Sequence, residues 1–245
     1  MLQVIGAFLL AIICAVDAVV LIGLAKIRPA AKVAAFLIAS AWTSLIVAIA
    51  AAGGFANAAT GPFPPPPLAF LTLMGAGLAA WFRWPAFRNA LLSLPLAGLI
   101  GINAFRIGGV FFLMLHSRGE LAAPFAISAG WGDIITGVAA IPLAIVAATN
   151  GRVPRGLVAI WTAFGTLDLI VAITLGALSA PGTPFQVFTE APGPAAMGIL
   201  PWVVVPTLLV PLYLMIHLTT VVRLREGGVV AGRIDSQAPV TRRAA

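Results

Sequence analysis

Residues 92–116 read LSLPLAGLIGINAFRIGGVFFLMLH, an apolar run long enough for a helix to cross a bilayer core, with one charge, Arg106, near its centre. A soluble helix of this length would carry a polar face, and this one has almost none. Insertion into lipid is the reading that fits, and it makes Arg106 expensive, at about 2.5–3.5 kcal/mol for a charge at a helix centre. Two further stretches repeat the pattern with the opposite sign: 124–148 carries Asp133 and 156–178 carries Asp168, each well inside its run. Charges at that depth do not face lipid, so the three are expected to face one another or a polar cavity.

The rest of the chain agrees. Hydrophobic residues make up 61% of it and charged residues 9%, with a mean hydropathy of +1.10, whereas charged residues are about a quarter of a soluble domain. Seven apolar stretches qualify as spans, at 2–25, 33–52, 68–82, 92–116, 124–148, 156–178 and 199–222, the third being the shortest. The Trp81, Phe82, Trp84 cluster at its end reads as an interfacial belt. The predicted fold is all-α: a seven-transmembrane-helix bundle over 1–225, followed by a basic cytoplasmic tail without fixed structure over 226–245.

Charge in the connections sets the orientation. Lys26, Arg28 and Lys32, then Arg83 and Arg88, then Arg152 and Arg155, then Arg223 and Arg225 fall on one side, and Arg118, Glu120 and Glu190 on the other. The positive-inside rule makes the basic side cytoplasmic, with the N-terminus outside and the C-terminus inside. The first run has no basic residue before it and three after it, the reverse of a cleavable secretory signal, and it is expected to stay as a helix.

Depth and helical spacing fill in the central site. Ala129, Gly130, Thr136, Gly137 and Ala140 share the Asp133 face, a small-residue surface that lets helices approach closely. Trp161, Gly165 and Ala172 lie on the face of Asp168, and Asn103 and Gly109 flank Arg106. One arginine balances one of two carboxylates, so Arg106, Asp133 and Asp168, with Asn103 and Trp161 beside them, are expected to bind a substrate and hold a proton. The competing reading is a fixed ion pair that locks the packing. Asp17 and His217, at comparable depth toward the cytoplasmic side, with Tyr213 on the histidine's face, are expected to form a second, inner polar group.

Prolines mark other segments. Pro201, Pro206 and Pro211 each remove a backbone donor from the last span, which is expected to kink. The freed carbonyls would serve ions or a hinge, or the bend is merely tolerated. The connection 53–67, with four consecutive prolines from Pro64 to Pro67, and the connection 179–198 are longer. The first favours polyproline II, as a lid, a docking segment or a stiff connector.

Several chemistries lack their residues. The net charge of +7 sits in short clusters between apolar runs without aromatic interleaving, so nucleic acid is not an expected partner. Cys14 is the only cysteine, which leaves no disulfide and no CxxC. His116 and His217 fall at opposite ends of their spans, unsuited to a shared haem, and Asp17 with His217 lacks a third ligand for catalytic zinc. The topology is similar to that of microbial rhodopsins, but Lys26 and Lys32, the only lysines, lie in the first connection, where retinal could not attach. No GxSxG, Walker loop, GxGxxG or HExxH occurs. No cofactor, metal or catalytic residue is therefore assigned.

The segments Phe105-Arg106-Ile107-Gly108-Gly109, Gly130-Trp131-Gly132-Asp133, 161–169 with Asp168, and 206–217 resemble an uncharacterised family of bacterial multi-pass inner-membrane proteins with no known activity. The resemblance covers the C-terminal half and implies location in a bacterial inner membrane. Three functions stay open. The first is a proton-linked transporter or permease for a small polar or anionic solute. The second is a membrane enzyme acting on a lipid or isoprenoid by carboxylate acid–base chemistry. The third is a non-catalytic subunit or assembly factor. Expected partners are membrane lipids, the solute or proton, and a second copy of the chain or a membrane complex.

Overall fold

The computed structural model describes residues 1–55, 65–149 and 153–235, with side chains through Glu226 except that of Pro65. All regular structure among them is helical: α1 (Leu2–Leu24), α2 (Pro29–Ala51), α3 (Pro65–Arg83), α4 (Pro85–Leu92), α5 (Leu96–Gly101), α6 (Val110–Ser117), α7 (Phe125–Thr149), α8 (Arg155–Leu178) and α9 (Val210–Asp235). Prolines open α2, α3 and α4, where a missing N–H costs nothing and the fixed φ suits the first turn. Gly53, at φ +76°, ends α2, and the next amide, Gly54 N–H, donates back to Ile49 O at 2.9 Å.

Six helical stretches among the described residues are long and apolar enough to cross a membrane: Leu2–Leu24, Pro29–Ala51, Leu96–Ser117, Phe125–Thr149, Arg155–Leu178 and Val205–Glu226. The third stretch expected from sequence folds as the 19-residue α3 but is not one of the six. Its aromatic cluster divides. Trp81 is buried, with the Arg88 guanidinium carbon 5.6 Å from its ring centre, while Phe82 and Trp84 are exposed. Of the four prolines expected to form polyproline II, Pro65, Pro66 and Pro67 instead make the first turn of α3, where no backbone N–H is needed and the fixed φ suits a helix, while Pro64, residues 56–63 and Arg152 lie outside the described residues. Of the expected tail, the part to Asp235 continues α9 and 236–245 lies outside them.

The span holding Arg106 is not one continuous α-helix. A 3₁₀ segment, Ile102–Gly109, separates α5 from α6 and lies closest to α7. Glycines explain the closeness. A Cβ on Gly109 would meet Gly130 O at 2.7 Å, and one on Gly137 would meet the backbone nitrogen of Ile107 at 2.7 Å. Gly137→Val is accordingly expected to destabilise the protein by about 1–3 kcal/mol through overpacking, seen as a lower unfolding midpoint in detergent; an unchanged midpoint would contradict this packing.

The last span departs from a kinked helix. Residues 200–203 form turns, a π-helical segment runs Val205–Leu209, and α9 follows. Pro211 has no N–H for the carbonyl of Thr207, four residues earlier, and that carbonyl accepts instead from Trp42 Nε1 of α2 at 3.2 Å. Trp202 O, deprived in the same way by Pro206, accepts from Val205 N–H at 3.0 Å.

Basic connections gather at one end. Lys26 N–H donates to Ser93 Oγ at 2.9 Å, Arg223 Nη1 donates to Leu94 O, and Arg88 meets Glu226 at 3.3 Å. By contrast α2 fully buries only Ile46, with Trp42, Ile49 and Ala50 half-buried beside it, and leaves Val33, Phe36, Leu37, Ile38 and Leu45 exposed, as lipid contact requires.

Candidate functional site

Arg106 leaves the 3₁₀ segment with a side chain only 1% exposed and finds acceptors on three neighbouring helices. Its Nε donates to Asp133 Oδ1 on α7 at 2.7 Å, and its Nη2 to Asp168 Oδ2 on α8 at 2.5 Å. Its Nη1 donates to Gly165 O on α8 at 3.2 Å and lies 3.2 Å from His217 Nε2 on α9. A guanidinium has no lone pair, so Nε2 of His217 must be the acceptor and the ring neutral, with its proton on Nδ1. That Nδ1 is buried and has no partner among the described residues.

Glycines open the space these groups occupy. A Cβ on Gly132 would overlap the Asp168 carboxylate, and one on Gly165 would press into the His217 ring and Thr136 Cγ2. Trp161 closes one side: its Nε1 donates to Thr136 O at 3.0 Å and its ring lies 5.2 Å from that of His217. Tyr213 closes another, its ring centre 6.0 Å from the guanidinium carbon, within cation–π range. The Tyr213 hydroxyl donates to Asp17 Oδ2 at 3.4 Å.

The sequence expectation of two polar groups is thus redrawn. Arg106, Asp133, Asp168 and Trp161 do come together, and Arg106 engages both carboxylates rather than one. His217 does not sit with Asp17: it stands on Arg106, and Asp17 is reached through Tyr213. One connected polar network therefore joins α1, the 3₁₀ segment, α7, α8 and α9. Asn103 stays apart from it, donating to Leu99 O at 2.9 Å, one turn back in its own span. His116 bonds Leu121 O at 2.9 Å and holds the turn after α6.

The network is closely packed and incompletely satisfied. Within it Asp17 Oδ1 is also buried without a partner among the described residues, and outside it so are Asn103 Oδ1, Thr136 Oγ1, Thr162 Oγ1 and Trp202 Nε1. Orphans of this kind are uncommon in folded proteins. Asp133 alone of the two carboxylates opens outward, with a side chain 15% exposed, onto a cleft of about 50 Å³. The cleft lies between α1, the 3₁₀ segment and the start of the last span, and apart from Asp133 and Tyr213 its lining is almost wholly apolar. Sequence reading missed Gly132, whose place beside Asp133 was a usable signal, and Trp202, for which there was none.

The model of a domain of unknown function, DUF8737, matches residues 63–225. The chain belongs to the DUF8737 family. The match takes in Arg106, Asp133, Trp161, Asp168, Tyr213 and His217, and leaves out α1 and α2, and with them Asp17. No curated protein and no solved structure matches the chain.

Proposed function

We propose that this DUF8737 protein is a proton-linked permease of a bacterial inner membrane, with seven spans, its N-terminus outside and its C-terminus cytoplasmic. One observation carries the reading: a single guanidinium at membrane depth holds carboxylates from two different helices. Two negative charges against one positive leave room for one proton or one cation. A proton on either carboxylate removes half of a two-sided clamp, loosens α7 or α8 from the 3₁₀ segment, and so links protonation to helix movement. The 3₁₀ stretch supplies a hinge between α5 and α6. Because Arg106 is already engaged by the protein's own acceptors, an anionic solute would have to displace a carboxylate, and a neutral polar solute fits the resting site better.

The basic end formed by Lys26, Arg88 and Arg223 supports the orientation. The outward face of α2 supports lipid, a second copy of the chain or a membrane complex as its neighbour. A second reading, a membrane enzyme acting on a lipid or isoprenoid, is favoured by the apolar character of the cleft that reaches Asp133.

Proteoliposomes loaded with a pH-sensitive dye test the first reading, with sugars, amino acids and small carboxylates added outside. Asp133→Asn and Asp168→Asn should each lower solute-driven proton flux by about 10²-fold or more, the scale of removing an essential proton carrier, while eluting as folded protein on gel filtration. Undiminished flux in both variants would rule it out.

A further inference from the structure

A second, larger opening lies between α8 and α9, away from the Arg106 network. Its α8 wall runs from Ala159 through Ala163 to Ile170 along one helical face, and its α9 wall is Val221, Leu224 and Arg225. With only alanine at 159 and 163, the groove holds about 490 Å³. Ile170 is 49% exposed, so the groove opens sideways to whatever surrounds the helices. Thr166, also on the wall, gives its hydroxyl proton to Thr162 O at 2.7 Å and asks nothing of an occupant. The groove is thus mainly hydrocarbon along its length, with one charged side chain at one end.

Length and place limit what lies in it. Ala159 to Ile170 spans about 16 Å of helix, half of a hydrocarbon core of roughly 30 Å. The groove begins one turn into α8, at the membrane end where Arg155 opens that helix, and stops just beyond Asp168 in the middle of the span. That is the extent of one leaflet. An acyl chain reaches from its head group to the midplane and no further. A helix from a second copy of the chain would need a face that continues across the other leaflet.

Charge at the open end selects the head group. Arg225 is exposed and has no hydrogen bond or ion pair among the described residues. No acid lines the groove, and the first turn of α8 holds none. The neighbouring Glu226 is engaged by Arg88 at 3.3 Å. Arg155, one turn before Ala159 on the same helical face, adds a second positive charge at this end. A guanidinium at the mouth of a hydrocarbon groove meets a lipid phosphate both as a charge and as a fork of N–H donors. A zwitterionic head group brings its own cation to the same place and gains less. We propose that the α8–α9 groove holds an acyl chain of an anionic phospholipid, with the lipid phosphate on Arg225.

The site stands whether or not the Arg106 centre moves protons, and mass spectrometry of the intact protein released from detergent, which counts bound lipids, tests it directly. With phosphatidylglycerol and phosphatidylcholine of equal chain length, wild type should retain phosphatidylglycerol at about fivefold lower concentration, the ratio that one arginine beside an anionic head group gives. Arg225→Gln should erase that preference, and Arg28→Gln, in the basic α1–α2 connection and off the groove, should keep it. Ala163→Phe, at an exposed position, should fill the groove and lower retention of both lipids in protein that elutes like wild type. Glycerophosphate, the head group without chains, should not displace the lipid. The proposal is overturned by a preference that survives Arg225→Gln, by equal loss in Arg28→Gln as diffuse surface charge would give, by undiminished retention in Ala163→Phe, or by displacement with glycerophosphate. Dimers that form in wild type without lipid and vanish in Ala163→Phe would assign the groove to a second copy of the chain and overturn it as well. Lost lipid preference alongside intact proton flux defeats this site alone, and phosphatidylglycerol retention alongside unchanged flux in Asp133→Asn and Asp168→Asn defeats the permease alone.

Discussion

Arg106→Ala is expected to yield protein that does not fold stably. Asp133 and Asp168 both depend on the one guanidinium, and removing it strands two carboxylates in a low-dielectric interior. Breaking a single buried pair costs about 3–5 kcal/mol, and total stability is on the order of 5–15 kcal/mol, so two broken pairs consume most of it. Combining Arg106→Ala with Asp133→Asn and Asp168→Asn should restore monodisperse elution in detergent, because neutral amides do not demand a counter-charge. Arg106→Lys should fall between, since an ammonium is a point charge and cannot fork toward both acids. Elution of the alanine variant like wild type would show that the carboxylates do not rely on Arg106.

Gly132→Ala is the second large effect, and a methyl group is enough to cause it. The added carbon would occupy the position of the Asp168 carboxylate, on the partner helix rather than its own. Asp168 must then leave Arg106, with a loss of about 3 kcal/mol or more from the broken pair. In the double variant Gly132→Ala with Asp168→Ala the clash has no target, and the two costs should couple by about 1–3 kcal/mol rather than add. Gly75→Ala is the control: a Cβ there meets nothing within 4 Å, and its unfolding midpoint should stay near wild type. Equal costs at Gly75 and Gly132 would contradict the described contact.

Much of the site was legible because lipid makes polar residues conspicuous. Arg106, Asp133 and Asp168 stood out as charges in apolar runs, and the face of Ala129, Gly130, Thr136, Gly137 and Ala140 lies largely buried, as helical spacing implied. His217 was misplaced for an identifiable reason. A span counted from residue 199 puts His217 near its inner end, but 200–203 are turns and the membrane-length helical stretch runs Val205–Glu226, which puts His217 near the middle. The 3₁₀ segment left no trace in hydropathy, because apolar residues suit either winding. α3 is apolar but opens on consecutive prolines, and composition alone places it at the margin of a span. Trp202 was invisible, since an unpaired donor is a property of packing and not of pattern.

The bond from Trp42 to Thr207 carries a consequence for biogenesis. Trp42 waits for an acceptor 165 residues further along the chain, and Asp17 for its Tyr213 hydroxyl across 196 residues. Chains are made from the N-terminus, so the α1–α2 hairpin reaches the translocation machinery long before either partner has been synthesised. Its polar groups must meanwhile be tolerated in lipid or shielded by an insertion factor. Docking of the final span then completes the early one, and ribosomes stalled just before Pro206 should carry a hairpin that proteases or extraction can still detach.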